Sequence, residues 1–256
     1  MKKPKSDYAI QTVTNALRVL GAFRDDDEIG VAELSRRLGL HKNNVFRLLA
    51  TLEGQGYIEQ SASTERYRLG IRSLELGHSF ARSRSLLARA RPVLEELVAG
   101  TQESAHLAML DGFEVVHVLG VAPERLVVAG LRIGRRLPVH CTALGKVLLG
   151  CSPESEWQAF DREVVADARL PARTERTIVD PDKFFEHIRA VAAHGFALDV
   201  EECEEGLCCA AAPVHDSAGK VVAALSISAP GFRAGEETLI RELCPAVTEA
   251  AERLSQ

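Results

Sequence analysis

Long apolar runs are missing from this sequence: no stretch reaches the roughly 18–20 residues that a membrane-spanning helix requires. The basic opening MKKPKSDYAI is not followed by an apolar segment, so a secretion signal is not expected and the expected address is the cytoplasm. The six cysteines (Cys141, Cys151, Cys203, Cys208, Cys209 and Cys244) lack both the spacing of a disulfide framework and a CxxC pair. In a reducing compartment such residues serve mostly as small buried hydrophobes. A Gly/Ser-rich linker is absent too, so neighbouring parts of the chain are expected to be mechanically coupled.

What is present is ordinary in bulk and uneven in distribution. With 256 residues, 46% hydrophobic and 26% charged, the chain has enough material for one or two globular domains. Residues 1–72 carry 12 Lys and Arg against 9 Asp and Glu, a balance of +3. The remaining 184 carry 19 against 27, a balance of −8, which together give the net −5. A basic head on an acidic body fits a protein that faces nucleic acid with one end only. A balance of +3 is modest, so more than one copy per DNA site is expected. The acidic run Asp25–Glu28 reads as a solvated loop.

The head contains VAELSRRLGLHKNNVFRLLATLEGQGYIE, residues 31–59. Val31, Leu34 and Leu38 share one helical face, Gly39-Leu40 breaks the pattern, and Val45, Leu48, Leu49 and Leu52 restart it. Two short helices joined by a Gly-containing turn make a helix-turn-helix. The second helix turns Asn43, Arg47 and Ala50 away from its apolar stripe, with Asn44 on the flank. Asn pairs with adenine edges and Arg with guanine edges in a major groove. His41 and Lys42 sit at the helix start, where phosphate is attracted. Tyr57-Ile58 and Arg66–Leu69 read as a hairpin wing around the polar tip 61–65, able to lay Arg66 and Arg68 along a DNA backbone.

Around this head, Asp7–Phe23 reads as a helix with Ile10, Val13, Leu17 and Leu20 at helical spacing. Its surplus of apolar surface predicts a contact between copies. Residues 73–99 are helical again, and with Pro92 interrupting they split into a linker helix near 73–83 and a domain-opening helix near 86–99. Strands are then expected at 105–110, 114–120 (hairpin turn at Asp111-Gly112), 126–133, 196–200, 208–215 and 221–228. Helices are expected at 143–149 with Thr142 as N-cap, from Ser152-Pro153, at 182–193 and at 234–254. Glu201, Glu202, Glu204 and Glu205 read as a solvated loop rim, and His106, His117, His187 and His215 as structural. The fold class is α+β: a winged helix-turn-helix (1–72), a linker helix (73–85) and an α/β domain (86–256) with an antiparallel sheet of about six strands.

Five blocks carry a resemblance to the IclR family of bacterial transcription regulators over essentially the whole length. They are AELSRRLGLHKNNVFRLLATLEGQGYIE, YRLG at 67–70, LPVHCTALGKVLL at 137–149, GFALDVEECEEGLCCAAAPV at 195–214 and ALSISAP at 224–230. The resemblance implies a GAF-like C-terminal domain that binds a small effector, and homodimers or homotetramers on palindromic double-stranded operators, more often as repressors. It implies effector contacts at Ala143, Leu144, Asp199, Cys209, Ser226 and Ser228. The residues agree in kind. N–H groups opening the 143–149 helix suit an anion, and Ser226 and Ser228 alternate onto one sheet face opposite Asp199 and Cys209. A small organic acid fits such a site, with Leu126, Val128, Leu131 and Leu137 as candidate apolar wall. Asn43-Asn44 stand where many members have Ser-Thr, so operator preference does not carry over.

Two other chemistries compete. An enzyme could use His140-Cys141, or Cys209 near Asp199, as nucleophile, yet a third orienting residue is not evident. A metal- or redox-responsive regulator could use the Cys203/Cys208/Cys209 region with Asp199 or His140, but the spacing is not diagnostic and adjacent strand residues face opposite sides. The sequence therefore favours a regulator that is not an enzyme and needs no metal or cofactor.

Overall fold

The structure is a computed structural model that describes residues 8–24, 26–166 and 170–255. The chain divides into two compact units, with the boundary between Arg84 and Ser85. Asp7, where the sequence pattern starts its first helix, the basic residues before it, and Asp25 of the acidic loop lie outside the described residues.

In the first unit, helices α1 (Gln11–Ala22), α2 (Val31–Leu38) and α3 (Lys42–Gly54) precede strands β1 (Ile58–Gln60) and β2 (Tyr67–Leu69) and helix α4 (Ile71–Arg82). The apolar stripes converge as their spacing requires: Val19, Phe23, Leu34, Val45, Leu48, Leu49 and Leu52 form one core with Ile29, Ile58 and Tyr67. Gly39 ends α2 at φ +65°, where a side chain would be strained, and its N–H returns to Ser35 O. Arg18 of α1 donates to Leu38 O at 2.9 Å, so it secures the end of α2. The wing pairs antiparallel, Glu59 opposite Arg68, and Ile29 exchanges hydrogen bonds of 2.9 and 3.0 Å with Tyr67 as a third rung. At Gly70 a Cβ would lie 2.4 Å from Gly56 O, so only glycine lets the chain leave the wing here.

In the second unit, α5 (Ser85–Thr101) opens a six-stranded antiparallel sheet. Its strands are β3 (Ser104–Asp111), β4 (Glu114–Val121), β5 (Arg136–Pro138), β6 (Ala197–Val200), β7 (Leu207–His215) and β8 (Val221–Pro230), in the order β5-β4-β3-β8-β7-β6. Helices α6 (Ala143–Gly150), α7 (Glu154–Phe160) and α8 (Pro181–His194) cover one face. The other carries α5 and the closing run of α9 (Glu236–Thr238), a π turn and α10 (Cys244–Leu254). Central strands are buried on both sides, so alternate residues feed different cores: Cys208, Ala210 and Ala212 one, Cys209 and Ala211 the other.

Three expectations are corrected. Residues 126–133 are not a strand. Leu126, Val127, Leu131 and Ile133 are exposed, and the edge of β4 is taken by β5 (Val115 opposite Leu137) and by bonds between His117 and residues 134–135. The helical run breaks at Ser83-Arg84, between the expected segments near 73–83 and 86–99, but Pro92 does not interrupt it: α5 carries Pro92 on its exposed side, where water can serve the carbonyl that loses its partner. Glu202 is not on a solvated rim but buried, and it pairs with the fully buried Lys146 of α6.

Candidate functional site

On α3, burial of Val45, Leu48, Leu49 and Leu52 leaves Asn43, Asn44, Phe46, Arg47 and Ala50 exposed in one patch, with His41 and Lys42 exposed at its start. Among the described residues Arg47 and Lys42 have no carboxylate partner. His41 accepts at its carbonyl the N–H groups of Asn44 and Val45, at 2.9 and 3.1 Å, so its backbone starts the helix while its side chain faces out. The wing arginines differ. Arg66 donates to Glu28 O at 2.9 Å and pairs with Glu33 at 3.1 Å, and Arg68 pairs with Glu59 at 2.6 Å. Phe46, 58% exposed, was not singled out by the periodicity, which marks only the residues it buries.

In the second unit a hollow lies between the start of α6, the α6-facing side of the sheet and the loop between β4 and β5. Ala143, Leu144, Asp199, Cys209, Ser226 and Ser228 all line it. Register explains how. Ser104, Ser228, Cys209 and Asp199 stand on one rung across β3, β8, β7 and β6, and His106 and Ser226 face each other on the next. The hollow holds about 400 Å³ between atoms, including its mouth.

The start of α6 is tightly built. Thr142 caps it by accepting the Gly145 N–H at 3.1 Å. A Cβ at Gly145 would meet Val139 O at 2.4 Å, so the preceding turn reaches the helix only across a glycine. Helix geometry leaves the N–H groups of Ala143 and Leu144 without an intrahelical acceptor. On the opposite wall Asp199 is 2% exposed, and its Oδ1 accepts the N–H groups of Glu202 and Cys203 at 2.8 and 3.2 Å. Burial pushes its carboxyl up to about 7, against the pull of the Lys146 charge and these two donors. Cys209 donates to Ser228 Oγ at 3.2 Å, and burial holds its thiol well above the ordinary range.

Two stretches of this chain match family models: residues 12–62 match the IclR helix-turn-helix domain, and residues 78–256 the bacterial transcriptional regulator IclR C-terminal domain. The chain belongs to the IclR family. Among its relatives is the HTH-type transcriptional regulator XynR of Escherichia coli, 36% identical over 220 residues, 86% of each chain. A transcriptional regulator structure from Rhodococcus sp. RHA1 superposes with a TM-score of 0.81 at 33% identity, covering 97% of this chain and 98% of that one. An IclR homolog from Microbacterium hydrocarbonoxydans, complexed with 4-hydroxybenzoate, gives 0.78 at 26% identity, covering 95% and 97%. This chain is thus an IclR-type DNA-binding regulator with a C-terminal effector domain, in a family of transcriptional regulators rather than enzymes. No described helix is long and apolar enough to cross a membrane.

Against this IclR frame, several sequence expectations for the cavity change. Of the four leucines and valines offered as apolar wall, only Leu137 lines the hollow; the loop supplies Ala129, Gly130 and Arg132 instead. Leu131 rests on Gly120, where a Cβ would lie 2.9 Å from its Cδ2. Arg132 pairs with Glu204, and Ser104 Oγ donates to Ala129 O at 2.7 Å, so the loop is tied down over the cavity. His140 is buried, its Nε2 2.9 Å from Pro171 O. Among the described residues no three His, Cys, Asp or Glu side chains are grouped to hold a metal ion. His106 and His117, read from the sequence as structural, stand on the cavity wall. Their signal was cross-strand register, which a single strand's alternation does not contain.

Proposed function

We propose that this regulator is a homodimer or homotetramer that reads a palindromic operator with α3 and loosens or tightens its grip when a small organic acid occupies the second unit, with repression by operator occlusion as the default outcome. One observation carries the reading: six residues drawn from 143 to 228 line a single hollow against the start of a capped helix. The acid's carboxylate takes the N–H groups of Ala143 and Leu144, where the helix dipole favours negative charge. The hydroxyls of Ser226 and Ser228, with Asp199 and Cys209 opposite, fix its orientation.

On the DNA side, Asn43, Asn44 and Arg47 address base edges, Phe46 offers an apolar contact of the kind a thymine methyl accepts, and His41 and Lys42 address phosphate. Arg68 can exchange Glu59 for a phosphate at little cost, because exposed pairs contribute little. Arg66, bound to a backbone carbonyl as well, mainly holds the wing. Self-association is supported by apolar stripes that have no cover within their own unit. These are Ile10, Val13 and Leu17 on α1 and Ile71, Leu74 and Phe80 on α4, a helix with no buried side chain. We assign residues 1–72 to the winged domain, 73–85 to the link and 86–256 to the effector domain, in a cytoplasmic protein.

The test is a gel-shift titration with DNA from the chain's own upstream region, with and without a panel of small organic acids, alongside a reporter assay. Sequence-specific shifts that an acid changes support the reading. A protein that binds that DNA no better than a scrambled duplex would overturn it.

A further inference from the structure

Cys141 and Cys203 are remote in sequence and adjacent in space. Cys141 ends the turn that leads from β5 to the Thr142 cap of α6, and Cys203 sits in the turn between β6 and β7. Their side chains face each other thiol to thiol, and the residues are 0% and 3% exposed. Neither lies in a helix or strand, so closing the gap to a bond asks only for movement of turns.

The two thiols have unlike surroundings. Cys203 lines the hollow and its open mouth, whereas Cys141 does not. The carbonyl of Cys203 accepts Arg173 Nε at 3.0 Å and its N–H donates to Asp199 Oδ1 at 3.2 Å, so its backbone is held on both sides. The Cys141 thiol holds the Cys203 sulfur below the ordinary thiol range; burial and the Asp199 charge oppose this, and the Arg173 and Arg132 charges assist it. Cys141, as the donor, is pushed up, and burial raises Cys151, Cys208, Cys209 and Cys244. Of the six cysteines, Cys203 therefore gives up its proton most readily, and the thiolate is the nucleophile. Cys208 faces the other core and Cys209 donates to Ser228, which leaves Cys141 as the partner at hand.

We propose that Cys203 and Cys141 are a redox-active pair: Cys203 reduces a small hydroperoxide that enters the hollow, and Cys141 then closes a reversible disulfide that ties the start of α6 to the β6–β7 turn. The Cys203 thiolate attacks one peroxide oxygen. An S–O bond forms, the O–O bond breaks, and the departing oxygen takes up the proton that Cys203 released, leaving as water or an alcohol. The Cys141 sulfur then attacks the sulfenic acid. An S–S bond forms, the S–O bond breaks, and hydroxide leaves as water with the Cys141 proton. The two thiols thus supply the two electrons that the peroxide takes up, and a dithiol reductant reverses the bond by exchange. Thr142 caps the helix start on one wall of the cavity, and Asp199 on the other holds the Cys203 N–H, so the disulfide joins both walls. Its effect on acid binding rests on the proposed effector site.

The test treats the reduced full-length protein with hydrogen peroxide, counts free thiols and maps the linked peptides. Digestion with trypsin and a glutamate-specific protease separates Cys203 from Cys208 and Cys209, because Glu204 and Glu205 lie between them. Two of the six thiols should disappear, the linked peptides should carry Cys141 and Cys203, and dithiothreitol should restore both. In Cys141→Ser the reaction should stop at a sulfenic acid on Cys203 that dimedone traps, and in Cys203→Ser neither product should form. Cooperative melting shows that both variants are folded. Oxidised and reduced wild type should differ in acid affinity by about fivefold or more, measured by calorimetry. No loss of thiols, a bond between any other pair, or dimedone labelling that persists in Cys203→Ser overturns the pair. Equal acid affinity in the two forms overturns its link to the effector site. Absence of binding by every acid overturns that site and leaves the disulfide standing.

Discussion

The two units build their functional surfaces in opposite ways. On α3 the DNA-facing patch is what remains once the core has claimed Val45, Leu48, Leu49 and Leu52. Thirteen consecutive residues decide it, and helical period alone says which side faces out. The cavity in the second unit draws on all six strands of the sheet, α6 and the loops between them, from His106 to Ser228, and its wall exists only once the sheet has set its register. A surface written in one helix tolerates replacement of its exposed residues without loss of fold. A wall written across a sheet couples binding to stability.

That contrast can be broken most directly on α3. Arg47→Ala with Asn43→Ala should cost about 2–6 kcal/mol of specific DNA binding, from one to three per lost base contact, with an unchanged melting curve. Retention of sequence-specific affinity in a shift assay would remove the patch from base reading. Leu49→Ala on the buried side of the same helix should instead cost about 2–5 kcal/mol of stability in the first unit, and chemical denaturation followed by circular dichroism would measure it.

In the second unit the prediction reverses, since a change at the wall should be felt in both properties. Gly145→Ala forces a Cβ against Val139 O and should cost about 1–3 kcal/mol of stability. It should also weaken acid binding, because the cap on Thr142 moves with the helix start. A variant that melts as the wild type does and binds acid equally well would show that the start of α6 has slack.

The smallest expected effect is pH dependence. His106 and His117 titrate in the fold at about 3 and about 4, and burial also lowers His187 to about 4, whereas unfolded histidines protonate near 6.5. Their contribution to stability is therefore full above 6.5 and lost as pH falls from there toward 4. Asp199, raised to about 7, works in the opposite sense: its contribution is full below about 3.8 and lost as pH rises through 7. Three histidines against one carboxylate should lower the melting temperature by several degrees between pH 6.5 and 4.5. His117→Gln should soften that fall, and Asp199→Asn should steepen it. A flat profile in the wild type would mean that these rings are hydrated.

Local pattern carried much of this molecule. Gly39, Thr142 and the Asp111-Gly112 turn each mark an element end by chemistry that acts within a few residues, and the structure has those ends where the residues imply. It failed where two remote segments compete for one place. Residues 126–133 alternate well enough for a strand, yet β5 holds the edge of β4, and the stretch lies over the cavity as a loop. Glu202 sits among four acidic residues that look solvated, and only the approach of Lys146, 56 positions away, takes it inside.

Taken alone, the amino-acid order determined the helix-turn-helix, the outward side of α3, the capped start of α6 and the resemblance that led to the IclR family, because each is settled by neighbours within a turn or two or by an unbroken motif. Which of the loop's residues line the cavity, and that two histidines and Ser226 share its wall, was decided only in three dimensions. Strand alternation says that a side chain faces one side or the other, while the register between strands, fixed by the packing of both cores at once, says what it meets.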